Sequence, residues 1–398
     1  MFSKSTVFLK IFVSIWLSVQ IAAAQSSVQG HVIDGETNKP LPGANVFIAK
    51  TTHGTATDAE GAFTIDGLKP VHYQLVVSFV GYGTQVFDIL PGEPKTYKVI
   101  LAPDPKTLGE VVIEGHKRSR SEWLANFKIF KENFIGLSDN HRFCSFENPS
   151  ILHFRIEDGI FKATADSLLV VINKGLGYRI KILLEKYEFN MVTKLVHYEG
   201  QIVYEPLTPE NEKEKLRWAA NRLRAYHGSE MHFLRSLYLQ KLMDEGFYFN
   251  IIREELTWEK RVVRRGIADI AVKPQVPIYN NKRVRMLTIT NYSRLYDSLS
   301  YIKHPEQPTL KFDGDLEVKY IMEAESGAYQ RKRRRFPQKI PQESTLVLLK
   351  PCVVQSHGDV YPQDAIETRN YWSWELMAES LPLDYDPAED ELLVPEED

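Results

Sequence analysis

The chain has 398 residues, 43% hydrophobic and 25% charged, with a formal net charge of -3. That balance leaves room for two or three domains, excludes a mainly disordered chain, and supplies no global basic field of the kind nucleic-acid binders carry. Two cysteines, Cys144 and Cys352, are too few for a four-ligand structural zinc site; they leave a disulfide or two buried thiols open, with the thiols favoured.

Taken in chain order, Lys4 and Lys10 precede the apolar run from Ile11 to Val19, which ends at Ala22-Ala23-Ala24. This is the pattern of a secretory signal peptide over residues 1–24, cleaved after Ala24. An uncleaved anchor is the competing reading, although the run is short for a full span. The run is not followed by a cysteine, which argues against a lipoprotein anchor, and later stretches are too short or too polar for a transmembrane helix. An exported chain with no transmembrane span after signal cleavage is expected.

From residue 28 to 101 apolar and polar residues alternate: Ala44, Val46 and Ile48; Phe63 and Ile65; Tyr73, Leu75, Val77 and Phe79; Tyr97, Val99 and Leu101. Period two places each set on one face of a half-buried strand. Turn signals separate them at Asp34-Gly35, Pro42-Gly43, Asp58 to Gly61, Asp66-Gly67 and Pro91-Gly92. Strands of this length and spacing predict a β-sandwich. The runs Gly30 to Asp34, Pro40 to Val46, Gly54 to Asp58, Gly61 to Ile65 and Val80-Gly81-Tyr82 resemble the carboxypeptidase-regulatory-like (transthyretin-like) domain. The resemblance implies an all-β, transthyretin-like or Ig-like sandwich over residues 25–103, without catalytic activity. It implies a bacterial envelope setting, periplasmic or outer-membrane associated, that includes TonB-dependent transporters.

Pro103 and Pro105 end the sandwich and open a linker, residues 104–120. Within it, Leu108 to Gly115 resembles the segment that joins this domain to the plug of TonB-linked transporters and pairs as a strand with TonB. The rest of the chain is far too short for the large transporter barrel and lacks its successive alternating strands. An ordinary edge strand or linker is the bland alternative for Val111, Val112 and Ile113.

Residues 119–135 are expected to be helical, with Trp123, Phe127, Phe130 and Phe134 on one face. Five strand-like runs follow, from Ile151 to Tyr204, in the direct succession that favours antiparallel pairing. Thr208-Pro209 is read as the start of a helix with a stripe of Leu216, Ala220 and Leu223; a second helix runs from Ser229 to Gly246. Strand-like runs resume at Arg283 to Thr290, Leu316 to Met322 and Thr345 to Leu349. Residues 121–380 therefore read as one α+β domain with an antiparallel sheet and two central helices. Three runs, Asn173 to Tyr178, Arg224 to Ser229 and His232 to Leu237, resemble an uncharacterised region attached to such domains in other envelope proteins. That resemblance implies no mechanism.

His227, Glu230 and His357 have the residue types and the first spacing of a zinc carboxypeptidase site. The motifs that would accompany such a site are missing, and Glu230 has a simpler role as a first-turn acid of a helix capped by Ser229. Gly175-Leu176-Gly177 is read as a turn between strands rather than a phosphate loop. The run Arg331, Lys332, Arg333, Arg334 and Arg335 is expected at a solvated hairpin tip or loop, with a membrane surface, an anionic glycolipid or an acidic partner as the functional alternative. Residues 381–398, acidic and without Lys or Arg, are expected to be a disordered tail, with folding back over the basic run as a weaker idea. Tyr371, Trp372 and Trp374 are expected to be buried.

Together these expectations describe an exported, non-enzymatic envelope protein that binds another envelope protein, not nucleic acid, and needs no cofactor or metal. Val111, Val112, Ile113, Arg331, Arg333, Arg334 and Arg335 are the candidate partner-binding residues. An accessory role in TonB-dependent nutrient uptake and a zinc hydrolase of the envelope are the alternatives.

Overall fold

A computed structural model describes residues 26–93, 95–104, 119–257, 284–291, 308–312, 314–333, 335–336 and 338–394. The run expected to be a signal peptide, the candidates Val111, Val112, Ile113 and Arg334, and the last four residues lie outside them. The chain divides into two compact units, Met1–Ala49 with His53–Glu110, and Lys50–Thr52 with Val111–Asp398.

In the first unit the alternating runs become β1 (Ser26–Asp34), β2 (Asn45–Ile48), β3 (Gly54–Ala56), β4 (Ala62–Leu68), β5 (Tyr73–Ser78), β6 (Gln85–Ile89) and β7 (Thr96–Leu101). One sheet has the order β4-β1-β7 and the other β3-β2-β5-β6; every pair is antiparallel except β1 with β7. The residues that period two selected are the core: Val46, Ile48, Phe63, Ile65, Leu75, Val77, Val99 and Leu101 are buried together. Gly30 is dictated by close approach, since a Cβ there would lie 2.2 Å from the Tyr97 carbonyl oxygen. The Asp34 carboxylate ties the turn after β1 by accepting from the Glu36 and Thr37 amides at 2.8 Å and from the Tyr82 hydroxyl at 2.5 Å.

The second unit opens with α1 (Arg120–Phe134), capped by Ser119, whose hydroxyl accepts from the Glu122 amide. The strands β8 (Cys144–Phe146), β9 (Leu152–Glu157), β10 (Ile160–Ala165), β11 (Leu169–Asn173), β12 (Tyr178–Asn190) and β13 (Val196–Pro206) form an antiparallel sheet. β12 organises it: β13 pairs along most of its length, while β11 pairs Tyr178 to Ile182 and β10 pairs Tyr187 to Asn190. The aromatic face of α1 lies on this sheet, with Phe130 stacked on Phe134 at 4.9 Å and edge-on to Tyr187 at 4.9 Å.

Next come α2 (Glu212–Tyr226) and α3 (Glu230–Tyr238), then β14 (Phe247–Thr257), β15 (Val284–Asn291), β16 (Thr309–Leu310), β17 (Asp315–Ala324), α4 (Gly327–Lys332), β18 (Pro341–Leu348), β19 (Cys352–Val354), β20 (Val360–Tyr361), β21 (Ile366–Asn370) and α5 (Pro387–Glu391). A five-stranded sheet, β15-β14-β17-β18-β21, and a three-stranded one, β16-β19-β20, share a second core with α3. The unit is α+β with antiparallel sheets. Cys144 lies in one core and Cys352 in the other; both are free buried thiols, pushed up by burial to about 12 and about 11.

Four expectations are corrected. The cap of α2 is Asn211 rather than Thr208: its side chain accepts from the Glu214 amide, and the Glu214 carboxylate reaches back to the Glu210 amide. The buried stripe of α2 is not Leu216, Ala220 and Leu223, for Leu216 is exposed. Trp218, Asn221 and Arg222 instead share one face and donate to three successive carbonyls, those of Lys174, Gly175 and Leu176. This rotates the helix by satisfying a buried turn, which three small apolar side chains cannot do. Gly177, at φ 78°, makes room, since a Cβ there would sit 2.4 Å from the Trp218 ring.

The second helix stops at Tyr238, not near Gly246, because Gln240 takes φ 58° and the Lys241 amide closes the end on the Ser236 carbonyl. Residues 381–394 are ordered rather than a disordered tail. Leu381, Leu383 and Tyr385 are buried, and Asp390 accepts from Arg222 Nε at 2.7 Å and from the Tyr385 hydroxyl at 3.0 Å. Acidic composition hid the apolar residues that anchor the segment.

The described residues of the basic run, Arg331, Lys332, Arg333 and Arg335, are exposed in the connection between β17 and β18, which pair antiparallel, and Arg331 and Lys332 end α4. Lys332 lies 4.9 Å over the Trp374 ring, Arg333 donates to the Tyr329 hydroxyl at 2.6 Å, and Arg335 pairs with Glu325 at 3.5 Å.

Candidate functional site

The second unit holds a cleft of about 400 Å3. Its walls come from the end of α1, from β13, from the start of α3, from the Gly358-Asp359 turn and from residues 372–383; Lys50 also lines it. Local sequence sets each wall. Ser229 caps α3, its hydroxyl accepting from the His232 amide, and so presents Glu230 in the first turn. Gly358, at φ 87°, passes so close to α3 that a Cβ would stand 2.7 Å from Met231, and this brings Asp359 to the cleft. The Trp372 indole donates to the Gly228 carbonyl at 2.7 Å, fixing the aromatic wall, while the Asn173 side-chain amide holds the Ala378 carbonyl at 2.9 Å.

Four carboxyls, those of Glu230, Asp359, Glu375 and Glu379, face this space with one ammonium, Lys50. Lys50 Nζ is 2.8 Å from Asp359. Burial opposes both charges, yet each partner outweighs it: Lys50 stays above its usual range and Asp359 below its own. Glu379 is occupied, accepting from the Asn140 amide at 3.2 Å and its side chain at 2.6 Å; burial nevertheless raises it. Burial, then the Asp359 carboxylate, push Glu230 up to about 7 against the pull of Lys50 and the Thr368 hydroxyl. Burial and the neighbouring Glu379 and Glu323 carboxyls push Glu375 far above the carboxylate range. No hydrogen bond to the Glu375 carboxyl occurs among the described residues. The cleft thus carries protons near neutrality that an electropositive group could displace.

The sign of the resulting pH dependence follows. Glu230 binds a proton more tightly when folded, with about 7 against an ordinary 4.5. Its stabilising contribution is complete below the ordinary value and is lost as pH rises through about 7. The thermal midpoint of the second unit should therefore fall as pH rises from weakly acidic to weakly alkaline, and Glu230→Gln should flatten that fall near neutrality. Melts across that range check it; equal slopes in parent and variant would remove Glu230 as the cause.

Residues 28–113 match the family described as the CarboxypepD_reg-like domain. The first unit carries a CarboxypepD_reg-like domain. A stretch of this chain is 37% identical over 110 residues to the TonB-dependent receptor SusC of Bacteroides thetaiotaomicron, covering 28% of this chain and 10% of that protein. A stretch is also 40% identical over 96 residues to the TonB-dependent receptor P39 of Formosa agariphila, covering 23% and 9%. The chain thus spans about a tenth of the length of these curated relatives. Among solved structures, a type II cohesin–X-dockerin complex of Acetivibrio cellulolyticus aligns with 26% of this chain and 72% of its own at 18% identity, with a TM-score of 0.19, too loose to support any argument.

The CarboxypepD_reg-like domain contributes no member of the His227, Glu230 and His357 set, all of which belong to the second unit. Glu230 lines the cleft. The His227 ring instead lies against Tyr226 at 5.7 Å and His232 at 5.6 Å, and burial lowers its proton affinity. His357 is buried, with its carbonyl accepting from Arg235 Nε at 3.1 Å. No group of three or more His, Cys, Asp or Glu placed to hold a metal ion occurs among the described residues. Tyr371, Trp372 and Trp374 are buried, and Trp372 lines the cleft. Sequence reading did not find Asp359, Glu375 or Glu379; its one pointer was the acid directly after the Tyr371 to Trp374 aromatic run. No helix among the described residues is long and apolar enough to cross a membrane.

Proposed function

We propose that this chain is an exported, non-enzymatic binding protein of a Gram-negative envelope, in which the CarboxypepD_reg-like domain is an interaction module and the cleft of the second unit receives a ligand. The observation that carries the ligand-binding part is the cleft itself, with the Glu375 carboxyl uncompensated on its wall. The envelope setting rests on the domain match, on relatives named as TonB-dependent receptors, and on the signal-like N-terminal run.

A second reading, an accessory to TonB-dependent uptake, is favoured by the Leu108 to Gly115 run at the end of a domain match in a chain whose relatives carry that name. Strand addition through Val111, Val112 and Ile113 would join the chain to its partner by main-chain hydrogen bonds. Crosslinking the tagged protein in cells, then fractionating the envelope and identifying the attached proteins by mass spectrometry, tests both readings. A reproducible transporter or TonB-type partner is the outcome expected of the second reading. Val112→Pro removes a backbone donor and should abolish that capture; full capture by the variant would eliminate strand addition at this site.

A further inference from the structure

We propose that the cleft of the second unit recognises a small organic cation, an amine or guanidinium group on an apolar stem, and gives up a proton as it binds. This rests on the reading of the cleft as a ligand site. A volume of about 400 Å3 is that of a small-molecule pocket rather than a packing defect. Phe134, Trp372, Met377 and Leu381 offer an apolar wall for the stem. Glu230 and Glu375 offer oxygens for the head, and the lining cation, Lys50, is held by Asp359 at 2.8 Å. An anionic ligand would have to share Lys50 with Asp359, which already neutralises it. A cationic one would find the Glu375 carboxyl without a hydrogen-bond partner among the described residues.

The proton balance follows from what faces each group. Glu230 is faced by Asp359, Lys50 and the Thr368 hydroxyl, with Tyr198 next to Lys50 and His357 next to Asp359. Glu375 is faced by Glu379 and Glu323, both of which feel Arg224. A cation entering among these carboxyls favours their ionised forms; the displaced proton passes to solvent and the bound cation takes its place. Binding should therefore strengthen as pH rises through neutrality.

Calorimetry on the mature full-length protein tests this, with phenethylamine and agmatine as cationic probes, phenethyl alcohol as the neutral one and phenylacetate as the anionic one. The expected result is binding of a cationic probe that is tighter at about pH 8 than at about pH 6, with heats that differ between buffers of unlike ionisation enthalpy. Glu230→Gln and Glu375→Gln should each weaken it by roughly tenfold and reduce the proton release, the scale of one charge-assisted contact. Both changes are nearly isosteric, and an unchanged circular dichroism spectrum certifies the fold. Binding of phenethyl alcohol or phenylacetate equal to that of the amines would overturn the cation reading and keep the cleft as a ligand site. No binding of any probe by folded protein would overturn both. Cation binding without proton release, or undiminished in both variants, would overturn the role given to these carboxyls.

Discussion

Asp390→Ala is expected to cost the second unit about 3–5 kcal/mol, the scale for removing one partner of a buried ion pair. The Asp390 side chain is 4% exposed and that of Arg222 17%, and the carboxylate takes two guanidinium hydrogen bonds, at 2.7 and 2.5 Å. Without it, Arg222 keeps only the Leu176 carbonyl at 3.1 Å, and the Tyr385 hydroxyl loses an acceptor at 3.0 Å. The loss is asymmetric, because a stranded buried charge is worse than none. Replacing both partners, Arg222→Met with Asp390→Leu, should therefore cost much less than either single change. Denaturant unfolding followed by tryptophan fluorescence measures this in the right place, since Trp123, Trp218, Trp372 and Trp374 lie in the second unit and residues 26–104 contain no tryptophan. A single variant within experimental error of the parent would mean that the segment after Ser380 is not anchored through this pair.

Phe130→Ala should cost a similar amount, about 3–5 kcal/mol, by a different route. The ring is fully buried and meets four others: Phe134 at 4.9 Å, Tyr187 at 4.9 Å, and Phe146 and Phe154 at 5.8 Å. Truncation leaves a cavity that four rigid rings on four different elements cannot collapse to fill. Phe130→Leu, which restores most of the volume but not the edge-to-face geometry, should lose only part of this. Equal losses for Ala and Leu would show that ring geometry, rather than volume, sets the stability of this core. Both variants should leave the CarboxypepD_reg-like domain folded, since its core does not contain Phe130.

What the sequence by itself determined was everything that depends on neighbours in the chain. The sandwich was legible because period two and turn residues at fixed offsets act within a few residues, and the buried faces of β2, β4, β5 and β7 coincide with the alternating sets. The aromatic face of α1 and the Ser229 cap were legible for the same reason.

Only the tertiary structure decided the rest. α2 turned a different face inward because Trp218, Asn221 and Arg222 satisfy the carbonyls of a turn more than forty residues earlier, as the hydrogen bond from Trp218 to Lys174 shows. The acidic segment after Ser380 became ordered because one aspartate met an arginine 168 residues away. The cleft brings Glu230, Asp359 and Glu375 together from α3, a turn and an irregular stretch, and the raised proton affinities of Glu230 and Glu375 come from burial and from neighbouring carboxyls. Local propensity carries no record of which distant backbone, charge or carboxyl a side chain will face, and those long-range encounters made the site.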